Sequence, residues 1–184
     1  MERTNRPDCV KTATIDGQIQ LPIGHYAVIS SHYNHNGTEK ISIHGLGSCI
    51  ALIFYDIPNK VGAMAHILLP EAKMSKSSNP QEFPHKYADY SVKDLLSVML
   101  EHGAAKRNIK AVIVGGANIF NDESLAIGKQ NVKAVKNQLN LFNIELTKEL
   151  TEGNKGRILV FNVTDYSISI KLTGDQQFIK HYLK

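Results

Sequence analysis

The segment from residue 41 to residue 70 constrains the fold of this chain more than any other part. It reads ISIHGLGSCIALIFYDIPNKVGAMAHILLP. An alternating stretch runs into a glycine-containing turn at residues 45–49, and an unbroken apolar strand follows at residues 50–55. A strand that is apolar on both faces belongs in the interior of a sheet. A polar turn at residues 56–60 then returns the chain, so the segment predicts two adjacent antiparallel strands.

The remaining periodic segments predict further strands and two main helices. Both helices, over residues 87–102 and 128–142, carry apolar residues on one face. The further strands are predicted over residues 25–30, 39–44, 109–114, 144–150, 157–163 and 166–172, the last two as a hairpin. Strict alternation of strand and helix is missing, which argues against a doubly wound parallel sheet. The predicted class is α/β of the α+β type, with mixed or antiparallel sheets flanked by two helices.

Three polar segments divide this pattern. Residues 1–20 are polar and aperiodic, and we predict a flexible N-terminal leader followed by a single domain over residues 21–184. Residues 31–38 are turn-rich and contain Asn36-Gly37, a hairpin signal. Residues 71–86 form a long polar loop of a length that is often functional.

Composition excludes several classes of protein. Hydrophobic residues make up 42% and charged residues 21% of the 184 residues, a globular balance. No apolar run is long enough for a membrane helix, and the N-terminus lacks a signal-peptide core, so we predict a cytoplasmic protein. The formal net charge of +4 is mild, and the basic residues do not cluster with aromatics as in nucleic-acid proteins. Two cysteines, Cys9 and Cys49, give no disulfide framework.

Cys49 is the first residue that carries chemistry. An ordinary thiol has a pKa near 8.5, so only about 3% is thiolate at pH 7, and catalysis needs a local device that favours the anion. The turn containing Gly47 and Ser48 can supply one, because small residues let backbone N–H groups converge, and such donors also stabilise an oxyanion. The alternative is an inert cysteine packed at the start of a strand.

His66 is the second such residue. A neutral imidazole can take the proton of a thiol, or the pair can rest as thiolate and imidazolium. A turn near Asn59 pairs position 52 approximately with position 66, which leaves the imidazole a few residues from Cys49. The alternative is a core histidine with its hydrogen bonds satisfied.

Two other sites are disfavoured by spacing. The candidate metal ligands show no recognisable zinc pattern beyond a close histidine pair in a loop, so no metal site is predicted. These candidates are His32, His35, His44, Cys49 and His66. The turn Gly45-x-Gly47 lacks the third glycine and the following helix of a dinucleotide-binding loop.

The central segment resembles a known family. GLGSCIALIFYD followed by GAMAHILLP is similar to the signature of CheD, the bacterial chemoreceptor glutamine deamidase. The resemblance spans roughly residues 24–172 in the family's order. It continues through Lys86-Tyr-Ala-Asp89, Gly115-Gly-Ala-Asn-Ile-Phe120, Ile127-Gly128 and Asn131-Val132.

This resemblance implies a fold, an activity and partners. The fold would be the family's α/β sandwich, and the reaction would convert glutamine side chains of methyl-accepting chemotaxis proteins to glutamate. Cys49 would be the nucleophile and His66 the general base, with oxyanion donors in the turn at Gly47 and Ser48. No cofactor would be required. The phosphatase CheC would be a partner, and the protein would be recruited to chemoreceptor arrays.

One position departs from the family pattern. The family often carries a threonine six residues before the cysteine, where its hydroxyl helps to orient the histidine, and this chain has Ile43. Ser42 is adjacent, but neighbouring strand residues point to opposite faces. The orienting group is therefore a backbone carbonyl, another side chain, or absent. This departure motivates an alternative function, a protein that docks to receptors or CheC with little turnover. A thiol hydrolase for another amide is a third possibility.

Overall fold

The computed structural model describes residues 8–10, 17–30, 39–74, 83–119 and 126–184. Within these residues the chain forms ten strands and two α-helices. The strands are β1 (Gln18–Gln20), β2 (Tyr26–Ser30), β3 (Lys40–Leu46), β4 (Ile50–Asp56), β5 (Val61–Ile67), β6 (Lys110–Gly115), β7 (Glu145–Thr151), β8 (Arg157–Asn162), β9 (Ser167–Leu172) and β10 (Ile179–Tyr182). The helices are α1 (Ala88–Glu101) and α2 (Ile127–Leu141).

The first sheet has the order β2-β5-β4-β6-β7 and is covered on one face by both helices. Every residue of β4 and β5 is buried. Leu52 and Phe54 of β4 share an apolar core with Val92 of α1 and Val135 of α2. The helices therefore cover one face of the central strands, as the apolar stripe on each helix requires.

The second sheet has the order β1-β3-β8-β9-β10 and covers the other face of the first. Ile53 and Met64 of the first sheet share a second apolar core with Ile41 and Phe161 of the second. The molecule is thus a sandwich of two sheets with both helices on the outer face of one sheet. The residues of strand β4 are apolar on both faces because each face adjoins one of these two cores.

The structure confirms the predicted class, a mixed sheet system flanked by two helices. Both helices and the eight predicted strands occur within one or two residues of their expected ends, and β8 and β9 form the predicted antiparallel hairpin. Among the described residues no helix is both long and apolar enough to cross a membrane.

Two short strands had no periodic signal and were not predicted. Gln18–Gln20 falls within the segment predicted as leader, yet it pairs in parallel with β3. Ile179–Tyr182 lies at the edge of the second sheet and is largely exposed, so no burial pattern marks it. The turn at residues 31–38, with Asn36-Gly37, and residues 75–82 of the polar loop lie outside the described residues.

The close approach of the two sheets depends on Gly62. A Cβ atom at this position would lie 2.9 Å from Phe161 Cε1 and from both Cγ atoms of Val163. We expect Gly62→Ala to lower the free energy of unfolding by about 1–3 kcal/mol, because an added methyl group overpacks this contact. Urea denaturation measures the change.

Val163→Ala is the matched partner for this variant, because it removes two of the three crowded carbon atoms. The double variant should lose less stability than the sum of the two single variants. Strict additivity would show that the sheets do not meet closely at Gly62.

Candidate active site

The turn that carries Cys49 is hydrogen-bonded to the chain that follows β6. The N–H of Gly116 donates to the Cys49 carbonyl at 2.9 Å, and the N–H of Ala117 donates to the Gly47 carbonyl at 2.9 Å. Gly115 has a φ of 120°, and a Cβ there would lie 2.1 Å from the Cys49 carbonyl oxygen. Only glycine allows this approach, so the turn and the end of β6 form one rigid unit.

The register of β4 and β5 decides which face His66 occupies. Ala51 pairs with His66 and Leu52 pairs with Ala65, so the predicted pairing of positions 52 and 66 is wrong by one residue. A one-residue slip moves every side chain to the other face of a sheet. Ala51 and Cys49 both face the core between the sheets. The observed register therefore places His66 on the same face as Cys49, whereas the predicted one would have separated them.

The two residues also lie at the same end of their strands. Cys49 directly precedes β4, and His66 is the second-last residue of β5. Ile50 pairs with Ile67 at this end, so the thiol and the imidazole occupy diagonal positions across the strand pair. Diagonal neighbours in an antiparallel pair are about 7–8 Å apart at their Cα atoms, which long side chains can bridge.

A backbone carbonyl orients His66. Its Nδ1 lies 3.2 Å from the carbonyl oxygen of Leu21, just beyond β1. A carbonyl can only accept, so Nδ1 carries the proton and Nε2 holds a lone pair. Nε2 is buried and has no hydrogen-bond partner among the described residues. This is the state that a general base requires.

The residues at the family threonine position take no direct part in this contact. Ile43 is fully buried in the core between the sheets. Ser42 contributes through its main chain, because its carbonyl accepts the N–H of Leu21 at 2.8 Å. The second sheet therefore fixes Leu21, and Leu21 fixes the imidazole. Sequence reasoning could not single out Leu21, because every residue type has the same carbonyl.

Burial sets the resting charges of the pair. Desolvation raises the pKa of the Cys49 thiol to about 11, although the residue's own backbone N–H opposes this shift. Desolvation also lowers the pKa of His66, against the hydrogen bond to Leu21. Both shifts disfavour the charged forms. At neutral pH the pair rests as a neutral thiol and a neutral imidazole.

The turn also offers backbone donors beside the thiol. Among the described residues, no backbone carbonyl accepts the N–H of Ser48 or of Cys49. Gly47 is held against Ile119, since a Cβ atom there would lie 2.5 Å from Ile119 Cδ1. Two adjacent N–H groups on a fixed turn can stabilise a negative oxygen.

Asn131 of α2 also contacts this region, which sequence reasoning did not reveal. Its Nδ2 donates to the carbonyls of Ser48 at 3.0 Å and Leu68 at 2.9 Å. The side chain thereby joins the cysteine turn to the end of β5. Its position beside Val132 at the start of a helix carried no chemical signal of this role.

Other polar groups in the molecule are less suited to catalysis or metal binding. No group of three or more metal-ligating side chains occurs in the part of the chain that the structure describes. His44 is exposed, and His32 and His35 lie outside the described residues.

A second polar cluster contains serine, histidine and aspartate. His85 Nδ1 lies 2.8 Å from Ser91 Oγ, and its Nε2 lies 3.0 Å from Asp94 Oδ2. The ring nitrogens are used in the opposite order to that of a serine protease triad. His85 and Ser91 are fully buried, so no substrate reaches the hydroxyl. The cluster is a structural contact at the start of α1.

A thiol and an imidazole on one face, with the imidazole oriented by a third group, are the components of cysteine-dependent acyl-transfer enzymes. The family described as "CheD chemotactic sensory transduction" matches residues 68–172. A "Probable chemoreceptor glutamine deamidase CheD" of Clostridium novyi is 42% identical over 141 residues, covering 74% of this chain and 85% of that protein. The "Chemoreceptor glutamine deamidase CheD" of Thermotoga maritima is 38% identical over 154 residues, covering 84% and 91%. The chain belongs to the CheD family.

The buried thiol leads to a prediction about chemical reactivity. In a Cys9→Ala background, the rate of Cys49 alkylation by iodoacetamide should keep rising with pH up to at least about pH 10, because only the thiolate reacts. An ordinary thiol would level off near its pKa of about 8.5. Mass spectrometry of timed samples measures the rate. A plateau below about pH 9 would contradict the raised pKa.

Proposed function

We propose that this protein hydrolyses glutamine side-chain amides of methyl-accepting chemotaxis proteins to glutamate, with release of ammonia. Cys49 is the nucleophile and His66 is the general base. The observation that carries the proposal is the orientation of His66, whose Nδ1 donates to the Leu21 carbonyl while Nε2 is unpaired on the face shared with Cys49. The names of the relatives support the choice of substrate.

The first step is attack by sulfur on the amide carbon. Because the thiol has a pKa of about 11, it is protonated at rest, and His66 Nε2 takes its proton as the carbon–sulfur bond forms. The lowered pKa of His66 keeps the imidazole neutral and able to accept this proton at neutral pH. The negative charge that develops on the amide oxygen is stabilised by the N–H groups of Ser48 and Cys49.

The second half of the reaction restores the enzyme. The imidazolium gives its proton to the leaving nitrogen, the carbon–nitrogen bond breaks, and ammonia departs. The substrate remains bound to Cys49 as a thioester. His66 then takes a proton from water, which attacks the thioester, and the sulfur leaves as the thiol. The hydrogen bond from Nδ1 to Leu21 persists through both steps and stabilises the charged ring.

The partners follow from this activity and from the family resemblance. Receptor cytoplasmic helices are the substrates, so the protein works in the cytoplasm and at chemoreceptor arrays. The phosphatase CheC is the further partner that we propose. The alternative, a docking protein with little turnover, rested on the missing threonine hydroxyl. The Leu21 carbonyl weakens that reason, since it supplies an orienting acceptor from the residue that follows β1.

Incubation with a receptor cytoplasmic fragment tests the activity. We expect ammonia release and a glutamine-to-glutamate mass change in the fragment, with oxygen incorporated from isotopically labelled water. Cys49→Ala should abolish turnover and leave receptor binding intact, because only the nucleophile is lost. Cys9→Ala is the matched control and should retain full turnover. Binding without turnover in the unmodified protein would favour the docking function instead.

Replacing Ile43 tests which group orients His66. We expect Ile43→Thr to change kcat by less than about tenfold, because a new hydroxyl adds at most one hydrogen bond to a ring that Leu21 already holds. The variant should also unfold more easily, since a hydroxyl enters an apolar core.

Ile41→Thr is the matched control for this variant. Ile41 lies on the same strand and in the same core, and it is equally buried. Both variants should lose similar stability in thermal denaturation. A much larger rise in kcat for Ile43→Thr alone would show that the Leu21 carbonyl does not orient the imidazole sufficiently.

A further inference from the structure

Asn131 is a fully buried amide that spans the two halves of the proposed site. It lies in the second turn of α2 and is 0% exposed. Its two N–H bonds are both used, one toward the Ser48 carbonyl and one toward the Leu68 carbonyl. Ser48 directly precedes Cys49, and Leu68 follows His66 by two residues. One side chain therefore fixes the separation between the cysteine turn and the end of β5.

The contact with Ser48 has a consequence for Cys49. The carbonyl of Ser48 and the N–H of Cys49 belong to one peptide unit, which is planar and trans. Fixing the direction of the carbonyl therefore fixes the N–H in the opposite direction. No backbone carbonyl among the described residues accepts this N–H, so it is available to a negative oxygen that forms beside Cys49.

Helix α2 holds Asn131 rigidly in this position. A Cβ atom at Gly128 would lie 2.5 Å from the Gly116 carbonyl oxygen, so the first turn of the helix directly contacts the chain after β6. Gly116 is in turn hydrogen-bonded to Cys49. Helix α2, which carries Asn131, and the cysteine turn thus both contact the chain after β6.

The remaining atom of the amide adds no hydrogen bond to this arrangement within the described part of the chain. Oδ1 of Asn131 is buried and has no hydrogen-bond partner among the described residues. An unpaired buried acceptor destabilises a folded protein. Most buried polar groups in native structures avoid this penalty, and exceptions call for an explanation such as a functional constraint.

We propose that Asn131 is a positioning residue that aims the backbone N–H of Cys49 at the oxyanion of the acyl-transfer reaction. The inference rests on the proposed function in that it assumes attack by Cys49 on a carbonyl carbon. It does not depend on the identity of the receptor substrate.

Two reagents separate this role from simple structural support. Acylation of Cys49 by p-nitrophenyl acetate passes through an oxyanion, whereas alkylation by iodoacetamide displaces iodide at a saturated carbon and forms none. In a Cys9→Ala background, Asn131→Ala should lower the acylation rate by about tenfold or more, since losing an oxyanion donor outright costs about 10²–10³ in rate. Alkylation at the same pH should stay within about threefold, because the thiol itself is retained.

Val135→Ala is the matched control. Val135 lies one turn further along α2, is fully buried and packs in the core beneath the helices. The Val135→Ala variant should have lower thermal stability, with unchanged rates of acylation and alkylation. Asn131→Ser, which can donate only one hydrogen bond, should show the same selective loss and replaces the alanine variant if that variant does not fold.

Each result decides the inference. A selective loss of acylation in the Asn131 variants supports it. The inference is overturned if the Asn131 variants are acylated at an unchanged rate, or if they lose acylation and alkylation in parallel. It is also overturned if Val135→Ala has equal effects, or if the unmodified protein is alkylated but not acylated. Receptor deamidation is measured separately with the same proteins. If the Asn131 variants selectively lose acylation but the unmodified protein does not deamidate receptors, the role of Asn131 is retained and the proposed substrate is refuted. If the unmodified protein deamidates receptors but the Asn131 variants show no selective loss of acylation, the proposed substrate is retained and the role of Asn131 is refuted.

Discussion

The burial of β4 on both faces is the constraint on which the rest of the structure depends. One face of this strand packs beneath the helices and the other packs against the second sheet. No side chain of β4 is exposed, and Cys49, the proposed nucleophile, directly precedes the first residue of the strand. The candidate site lies where the two cores and the end of β6 meet. The Cys49 thiol is therefore desolvated, and the turn that carries it is held by the end of β6.

Strand alternation then decides which side chains can act together. His66 lies on the face of β5 that a Cβ atom at Gly62 would also occupy, toward the second sheet, and the same face carries Cys49. The proposed base therefore lies over the second sheet, and this layer supplies the hydrogen-bond acceptor for its Nδ1. That layer does so through β1, a strand of three residues whose continuation bears the Leu21 carbonyl.

Much of the polar chemistry at the site comes from the main chain. A carbonyl orients His66, backbone N–H groups of the turn are available for an oxyanion, and Asn131 contacts two further carbonyls. Main-chain groups are fixed by the fold and lose little entropy when they act, which suits a preorganised site. In this chain, where Ile43 carries no hydroxyl, the Leu21 carbonyl lies at hydrogen-bond distance from His66 Nδ1.

The sequence by itself determined the class of the fold, both helices, eight of the strands and the two residues proposed for catalysis. Apolar periodicity carries the information on the helices and strands, because burial repeats with the period of each element. The roles proposed for Cys49 and His66 came from the resemblance to the CheD family. The tertiary structure alone decided the register of β4 and β5, the presence of β1 and the contacts of Leu21 and Asn131. A register depends on side-chain packing across strands, and a hydrogen bond between distant main-chain groups leaves no trace in residue identity. The sequence thus identified the thiol and the imidazole, and only the fold brought them to one face and gave them their partners.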